Sequence, residues 1–358
     1  MSQLLPEIKS VFDEISGKIV SQKPERDKEW VLFMDLVDKI DTKARILEEK
    51  LLKEVPKIFR EILKDAFSRK KNHDRTLAGY IGEMLAGGEP DRHFKVLFSL
   101  DVLDFSVLSM DDILDRAERR AIKSSFHKKW GLQKASVVIM LLKGLSNILV
   151  LQSSLSETVK NRIISELEDT HLKIYEGQFL DNEYEDKSIE DIEMDDYLKM
   201  IQLTTGWQIA KAFKIGGILA GADGEISQDL EKLGLIIGTL GQMRDDIIDY
   251  LPEEKTWKTP FLDFINGKKR FPLVFIWKYL SNEQKERIKF FQSKHELKEE
   301  EKIEIIDILF GKDNLIKMKQ FMSKMKKEAD EILVYANFNK EAISVTRAFL
   351  TLMSVDIR

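Results

Sequence analysis

The sequence predicts an all-α protein, a single-domain bundle of long helices around a central cavity. Apolar residues recur at helical spacing on charged backgrounds, both in residues 27–64 and beyond residue 280. No proline occurs between Pro90 and Pro252, and no Pro/Gly/Ser-rich linker or low-complexity tract divides the chain. Because 358 residues are enough for one large core, residues 1–358 are interpreted as one domain.

Composition and charge exclude several classes of protein. A net charge of −5 with 33% charged residues describes an ordinary surface and does not indicate nucleic-acid binding. The absence of cysteine excludes disulfides and thiolate metal sites. The N-terminus lacks the apolar core of a signal peptide, so we expect a cytoplasmic protein. The most apolar stretch, residues 135–151, is broken by Lys143 and Asn147 and predicts a buried helix rather than a transmembrane segment.

The first elements of the chain are predicted to be outer helices. Residues 7–22 and 27–64 have the helical pattern and are separated at Pro24. The basic run SRKKNHDR follows at residues 68–75. A basic run before a helix is more often a solvated face than a phosphate site.

A first acidic motif lies in residues 105–120, FSVLSMDDILDRAERR. Asp111 and Asp115 are four residues apart, so a helix places their carboxylates on one face with Asp112 beside them. The apolar residues upstream indicate a largely buried helix, in which neighbouring like charges need a counter-charge. Magnesium suits this role because it binds carboxylates together with substrate phosphate. For an isolated DDxxD motif, a solvated acidic turn would be the better interpretation.

A second acidic motif, GQMRDDIIDY, repeats the spacing at Asp245, Asp246 and Asp249. Two matched clusters are hard to explain as unrelated surface turns, so we expect their helices to face each other across one cavity. Gln242 precedes Asp245 by three residues and therefore lies one turn away on the same face. The glycine-rich run IGGILAGADGEIS before this motif permits close helix packing.

These motifs resemble those of the trans isoprenyl diphosphate synthases, the polyprenyl synthetase family, which join an allylic diphosphate to isopentenyl diphosphate. The resemblance extends in order from about residue 70 to about residue 280. Besides the two aspartate motifs it includes Arg119-Arg120, HKKWG at 127–131, YEGQFLD at 175–181, TTG at 204–206 and GKKRFPL at 267–273. It implies an isoprenoid synthase-like fold, a homodimer and a magnesium-dependent prenyltransferase with three Mg²⁺ ions in each active site.

The resemblance also implies roles for individual residues. Asp111, Asp115 and Asp245 would be the magnesium ligands. The catalytic set would comprise both motifs with two polar neighbours: Asp111, Asp112, Asp115, Asp245, Asp246, Asp249, Thr205 and Gln242. Arg119 would bind the allylic diphosphate and Arg120 that of isopentenyl diphosphate. Further substrate-binding residues would be Lys71 and Arg75 in the basic run, Gln178 on the cavity wall, and Lys258 and Lys268 on a flexible cap that also contains Asp263, Lys269 and Arg270.

Three departures from the family pattern leave alternative functions open. The basic run lacks the family's two glycines and contains Asn72 and Asp74. Asp104 stands where many members have histidine or glutamine, and it would repel a phosphate unless protonated or paired with a cation such as Lys71. Thr204 stands where the family usually has lysine. The alternatives are a class I terpene synthase-like lyase that ionises an allylic diphosphate without coupling, and a subunit of a heteromeric synthase.

Product length is expected to depend on two small residues, Ser106 and Val107. In the family, bulky residues four or five positions before the first motif aspartate form the floor for short products. Because both residues are small here, the resemblance predicts a product of C20 or longer, unless Phe105 or Leu103 blocks the pocket.

Overall fold

A computed structural model describes residues 28–69, 72–120, 123–251 and 260–354. The first half of the described chain contains helices α1 Lys28–Glu54, α2 Lys57–Phe67, α3 Asp74–Leu85, α4 Phe94–Leu114, α5 Phe126–Trp130, α6 Leu132–Leu151 and α7 Glu157–Glu185. The second half contains α8 Met194–Ile201, α9 Trp207–Leu219, α10 Gly224–Ile248, α11 Leu262–Ile265, α12 Phe271–Trp277, α13 Asn282–Gln292, α14 Glu299–Phe310, α15 Lys312–Tyr335 and α16 Lys340–Met353. The predicted all-α fold is confirmed.

The remaining elements are short. A 3₁₀ turn spans Ile189–Asp191, and a π-helical turn at Gln202–Gly206 joins α8 to α9. Strands β1, Arg119–Arg120, and β2, Lys123–Ser124, form a small antiparallel hairpin. The helix predicted over residues 27–64 is divided at Pro56, because proline lacks an amide donor and disfavours helical backbone in the residue before it. The helix predicted over residues 7–22 lies outside the described residues.

Helix α9 lies at the centre and packs closely against α3 and α10. A Cβ atom built on Gly216 of α9 would lie 2.2 Å from the carbonyl oxygen of Gly79, and one built on Gly82 of α3 would lie 2.5 Å from the carbonyl oxygen of Phe213. The α3–α9 crossing therefore requires glycine on both helices. The predicted close packing of the glycine-rich run is confirmed.

Helix α6 is only half buried. It packs against α4 and α7 through residues such as Val138 and Leu142, but Val137 and Met140 are 54% and 75% exposed. The predicted burial therefore holds for one face of the helix and not for the other. Within the described residues, α6 is the one helix whose length and apolar composition would suit a membrane span, and 39% of its most apolar window is buried.

A buried histidine at the start of α3 connects this helix to α1. The ring nitrogens of His73 lie 2.7 Å from Asp41 Oδ1 and 3.2 Å from Glu48 Oε1. Burial lowers the pKa of His73, but hydrogen bonds to these carboxylates and the nearby charge of Asp101 outweigh it and raise the pKa to about 9. His73 is therefore a charged link between the two helices near neutral pH.

We expect His73 to make stability depend on pH. Its folded pKa lies above its unfolded value, so its contribution is complete below about pH 6.5 and is lost as pH rises through about 9. His73→Gln should lower the free energy of unfolding by at most about 3 kcal/mol near pH 6 and by much less near pH 10. Urea unfolding at both pH values measures this, with His295→Gln at an exposed site as the control. An equal deficit at both pH values would contradict the charged His73.

Candidate active site

The first aspartate motif lies at the end of α4. The helix ends at Leu114, and the amide of Asp115 donates to the carbonyl of Asp111 at 2.8 Å, so the two carboxylates lie one turn apart as predicted. Arg120, which lies on β1, donates to Asp111 Oδ2 at 3.1 Å and to Asp112 Oδ1 at 2.7 Å. Burial raises the pKa of Asp112, and the charge of Arg120 opposes this shift. Arg120 thus supplies the counter-charge that the buried motif needs.

The second motif lies at the end of α10. Asp245 Oδ1 accepts hydrogen bonds from Arg244 Nε at 3.1 Å and Nη2 at 2.9 Å. Asp246 is buried and accepts hydrogen bonds from Tyr197, Gln242 and the backbone amide of Phe271, at 2.8, 2.8 and 3.0 Å. Burial raises the pKa of Asp246 to about 6, although Arg270 and these donors oppose the rise. Asp246 is therefore held within the protein by three donors.

A buried segment, Lys268 to Phe271, connects the two motifs. At one end, Lys268 Nζ contacts Asp115 and lies 2.6 Å from Asp181 Oδ2 and 3.5 Å from Glu185 Oε1. At the other end, the amide of Phe271 donates to Asp246. The prediction of a flexible cap is wrong for Lys268, Lys269 and Arg270, because all three are buried. Lys268 and Arg270 form ion pairs with Asp181. Lys269 donates hydrogen bonds to the backbone carbonyls of Glu185 and Gly267.

Three further predicted residues lie at this site. Gln178 Nε2 on α7 donates to Asp111 Oδ1 at 3.0 Å. Thr205, in the π-helical turn, donates its hydroxyl to Gln242 Oε1 at 2.7 Å. Since Gln242 also donates to Asp246, Thr205 is linked to the second motif through one side chain. The hydroxyl of Thr204 donates to the carbonyl of Met200 at 3.2 Å.

Of the two residues of the basic run that were predicted to bind substrate, Arg75 lies within the described residues. Its Nε lies 2.9 Å from Gln208 Oε1 and 3.4 Å from Asp104 Oδ1. Asp104 is therefore paired with a cation, Arg75. Both Lys71 and Lys258 lie outside the described residues.

An open cavity of about 410 Å³ lies beside the first motif. Asp115, Arg119 and Glu185 lie on its wall, and Leu114 and Leu262 give it an apolar side. Arg119 is exposed, so its guanidinium is accessible to a ligand in this space. A charged ligand such as a diphosphate could approach Asp115 and Arg119 from here.

One group of carboxylates could hold a metal ion. Asp115, Asp181 and Glu185 each offer one oxygen, and these atoms lie within 4.8 Å of one another. Oxygen ligands of this type fit a hard divalent cation such as Mg²⁺. The charge of Arg270, with that of Lys268, outweighs burial and holds the pKa of Asp181 at about 2, so this ligand is ionised. Burial and the charge of Asp111 raise the pKa of Asp115 to about 7.

Glu185 was missed by the sequence reasoning. Gln178, Asp181 and Glu185 are spaced three and four residues apart, so they share one face of α7. Once Gln178 was assigned to the cavity wall, this spacing was the available signal. The predicted ligands also have internal cations, since Asp111, Asp115 and Asp245 contact Arg120, Lys268 and Arg244.

The two residues expected to limit product length are buried on α4. Ser106 and Val107 are 3% and 5% exposed. The ring of Phe105 packs against Phe67 of α2, with ring centroids 5.0 Å apart. Phe105 is therefore held by its contact with α2.

Comparison with known proteins identifies relatives. The sequence profile of the polyprenyl synthetase family matches residues 56–309. A short chain isoprenyl diphosphate synthase from Methanothermobacter thermautotrophicus is 26% identical over 265 residues, covering 72% of this chain and 79% of that protein. A geranylgeranyl diphosphate synthase from Methanosarcina mazei is 33% identical over 160 residues, covering 44% of this chain and 48% of that protein.

Solved structures show the same fold. A geranylgeranyl pyrophosphate synthetase from Pyrococcus horikoshii has a TM-score of 0.79 at 23% identity, covering 90% of this chain and 98% of that chain. A polyprenyl synthetase from Streptomyces coelicolor has a TM-score of 0.80 at 18% identity, covering 90% and 99%. The family profile itself spans well over half of the sequence. The chain therefore belongs to the polyprenyl synthetase family, the trans isoprenyl diphosphate synthases, and is a prenyl diphosphate synthase.

Proposed function

We propose that this enzyme condenses an allylic diphosphate with isopentenyl diphosphate to give a trans polyprenyl diphosphate of C20 or longer, in a magnesium-dependent reaction. The observation that carries the proposal is the connection of both aspartate motifs through the segment Lys268 to Phe271. Relatives named geranylgeranyl and geranylfarnesyl diphosphate synthase support the product class.

Magnesium would be held by Asp111, Asp115 and Asp245, with three ions in the site. Bound there, it would act as a Lewis acid that neutralises the diphosphate as the carbon–oxygen bond breaks. Each proposed ligand is paired with a cation of the protein, and a bound metal ion would supply the positive charge in its place. Arg120 and Lys268 would then be available to the diphosphate oxygens, for which a guanidinium gives paired, charge-assisted hydrogen bonds.

The remaining side chains would bind the substrates, stabilise the allylic cation and exclude water from it. Arg119 and Gln178, with Lys71 and Lys258, would contact diphosphate. Thr205 donates a hydrogen bond to Gln242 Oε1, and the oxygen atoms of these two side chains would stabilise positive charge on the substrate carbons. The new carbon–carbon bond forms from the double bond of isopentenyl diphosphate, and the released pyrophosphate takes the proton that the condensed product loses. Apolar walls would exclude the water that quenches the cation.

Whether the enzyme couples its substrates or acts as a lyase depends on whether it can bind isopentenyl diphosphate. The pairing of Arg75 with Asp104 removes the repulsion that an isolated carboxylate would exert on a phosphate. The same ion pair engages Arg75, one of the proposed substrate-binding residues. Coupling is favoured because Arg120 remains beside the first motif and the relatives are synthases.

The proposal is tested by incorporation of radiolabelled isopentenyl diphosphate with each allylic primer in turn, with Mg²⁺ and with chelator. We expect magnesium-dependent incorporation into products of C20 or longer. A hydrocarbon or alcohol formed from farnesyl or geranylgeranyl diphosphate alone would replace the synthase by a lyase. Turnover only after addition of a second polypeptide would indicate a subunit of a heteromeric synthase.

Product length should respond to Ser106. Replacing Ser106 with Phe puts a ring at a buried position of α4, five residues before Asp111, and should shorten the main product by at least one five-carbon unit. Chromatography of the dephosphorylated products measures this. Ser323→Phe, at an exposed position of α15, is the control. An unchanged product length would dismiss Ser106 as part of the pocket floor.

The assembly and location belong to the same proposal. We infer a homodimer, because α6 and α7 pack together and expose apolar side chains, among them Met140, Leu172 and Phe179, that a second copy would cover. If a second copy covers α6, its apolar side chains are no longer in contact with water, which agrees with the proposed cytoplasmic location.

A single domain over residues 1–358 is supported by one hydrophobic core with members from α1 to α16. The homodimer is tested by light scattering, which should give a molecular mass in solution of two chains rather than one.

A further inference from the structure

A buried arginine lies between the two aspartate motifs and has no role in the reaction described above. Arg270 Nη1 donates to Asp181 Oδ1 at 2.8 Å, and Nη2 lies 3.4 Å from Asp181 Oδ2. Its Nε donates to Asp263 Oδ2 at 2.7 Å. The residue is 9% exposed. One guanidinium therefore binds a carboxylate on α7 and another on α11.

The surroundings keep this guanidinium charged. Burial lowers the pKa of Arg270, but the charges of Asp181, Asp263 and Asp246 outweigh burial and raise it. Burying several ions costs desolvation free energy that their attraction only partly returns, so such a cluster is weak evidence for stability. A planar group with two hydrogen-bonding edges does fix the relative position of the carboxylates that it binds.

Both ends of the segment that joins the motifs depend on this position. Asp181 accepts hydrogen bonds from Arg270 and Lys268, and Lys268 contacts Asp115 of the first motif. Directly after Arg270, the amide of Phe271 donates to Asp246 of the second motif. A shift of Arg270 relative to α7 would therefore move a contact at each motif.

We propose that Arg270 is a positioning residue for the prenyl transfer. It sets the spacing of the two aspartate motifs by binding Asp181 and Asp263 with its two edges, and it acts through this geometry rather than through charge alone. The inference rests on the proposed function for its kinetic part only. Binding of magnesium pyrophosphate tests it separately, because both motifs would have to hold that ligand.

The experiment compares three site variants with a matched control. Arg270→Lys keeps the charge and removes the two-edged geometry, Arg270→Gln removes both, and Asp263→Asn weakens one of the two contacts. Arg287→Lys is the control, because Arg287 on α13 binds Glu304 on α14 through Nε and Nη2, both at 2.6 Å, but this pair is exposed and contacts neither aspartate motif. Melting temperature is measured with Mg²⁺ alone and with Mg²⁺ plus inorganic pyrophosphate, followed by kcat and KM for the primer.

We expect Arg270→Lys to fold and to lose about 10- to 100-fold in kcat with a KM change below about threefold, since small misplacements of reacting groups have effects of this size. It should also need about tenfold more pyrophosphate for half of the full melting shift. Asp263→Asn should lose less, Arg270→Gln at least as much, and Arg287→Lys should behave as wild type.

Several results would overturn the positioning role. One is wild-type kcat and pyrophosphate response in Arg270→Lys. Another is a loss that disappears when activity is assayed well below the variant's melting temperature, since that would indicate a structural role alone. If Arg270→Gln does not fold, Arg270→Lys and Asp263→Asn decide the outcome. If the wild-type enzyme fails to elongate any primer, the proposed function falls, while the pyrophosphate titration still tests Arg270.

Discussion

Replacing Asp115 with Asn should reduce kcat by about 10³-fold or more, a loss of about 4 kcal/mol of transition-state stabilisation. Asp115 is a proposed magnesium ligand, shares the acidic group with Asp181 and Glu185, and contacts Lys268. Asparagine preserves the shape but removes the negative charge that a metal ion and the lysine both require. The substitution should therefore also weaken the melting shift produced by Mg²⁺ and pyrophosphate.

The control for this prediction is Asp91→Asn. Asp91 is also an ion-paired aspartate, bound to Lys39 and Lys43 at 2.6 and 2.7 Å, but it lies on the surface beside α1. Loss of an exposed pair costs at most about 1 kcal/mol of stability and should leave kcat unchanged. A kcat for Asp115→Asn within about tenfold of wild type would remove Asp115 from the proposed ligands.

Replacing Gly216 with Ala should destabilise the protein by about 3 kcal/mol or more. The added Cβ would lie 2.2 Å from the carbonyl oxygen of Gly79 and 2.4 Å from the amide nitrogen of Glu83. Both neighbours are backbone atoms of α3, so no side-chain rotation relieves the overlap and the two helices must separate. The unfolding free energy from urea titration measures the effect.

Gly144→Ala provides the control for that measurement. Gly144 is also inside a helix, α6, but a Cβ atom there meets no neighbour within 4 Å. Because alanine is the better helix former, this variant should be unchanged or more stable by up to about 1 kcal/mol. Equal stabilities of Gly216→Ala and Gly144→Ala would contradict the required contact between α3 and α9.

The aspartate motifs were predictable because their chemistry is local. The spacing of Asp111 and Asp115 places both on one helical turn whatever surrounds the helix, and Asp245 and Asp249 repeat the arrangement. The partner of Asp104 was not predictable in the same way. The sequence suggested Lys71 as a possible cation, and only the packing of α3 against α4 shows that Arg75 lies beside Asp104.

The clearest failures concern exposure. Residues 268–270, KKR, were expected on a flexible cap, yet they are buried among carboxylates from α4, α7 and α11. Helix α6 was expected to be buried because it is apolar, yet Met140 is 75% exposed. A single sequence does not show which distant charges will neutralise a basic segment, or which apolar face the monomer leaves uncovered.

By itself, the sequence determined the helical class, the two acidic motifs, the arginine pair and the family, because periodicity and short spacings are properties of one segment of chain. The tertiary structure alone decided how those segments are connected: Lys268 to the first motif, Phe271 to the second, and Arg270 between α7 and α11. The physical reason is that a buried charge takes its partner from whichever helix packs beside it, and that neighbour can lie far away in the sequence.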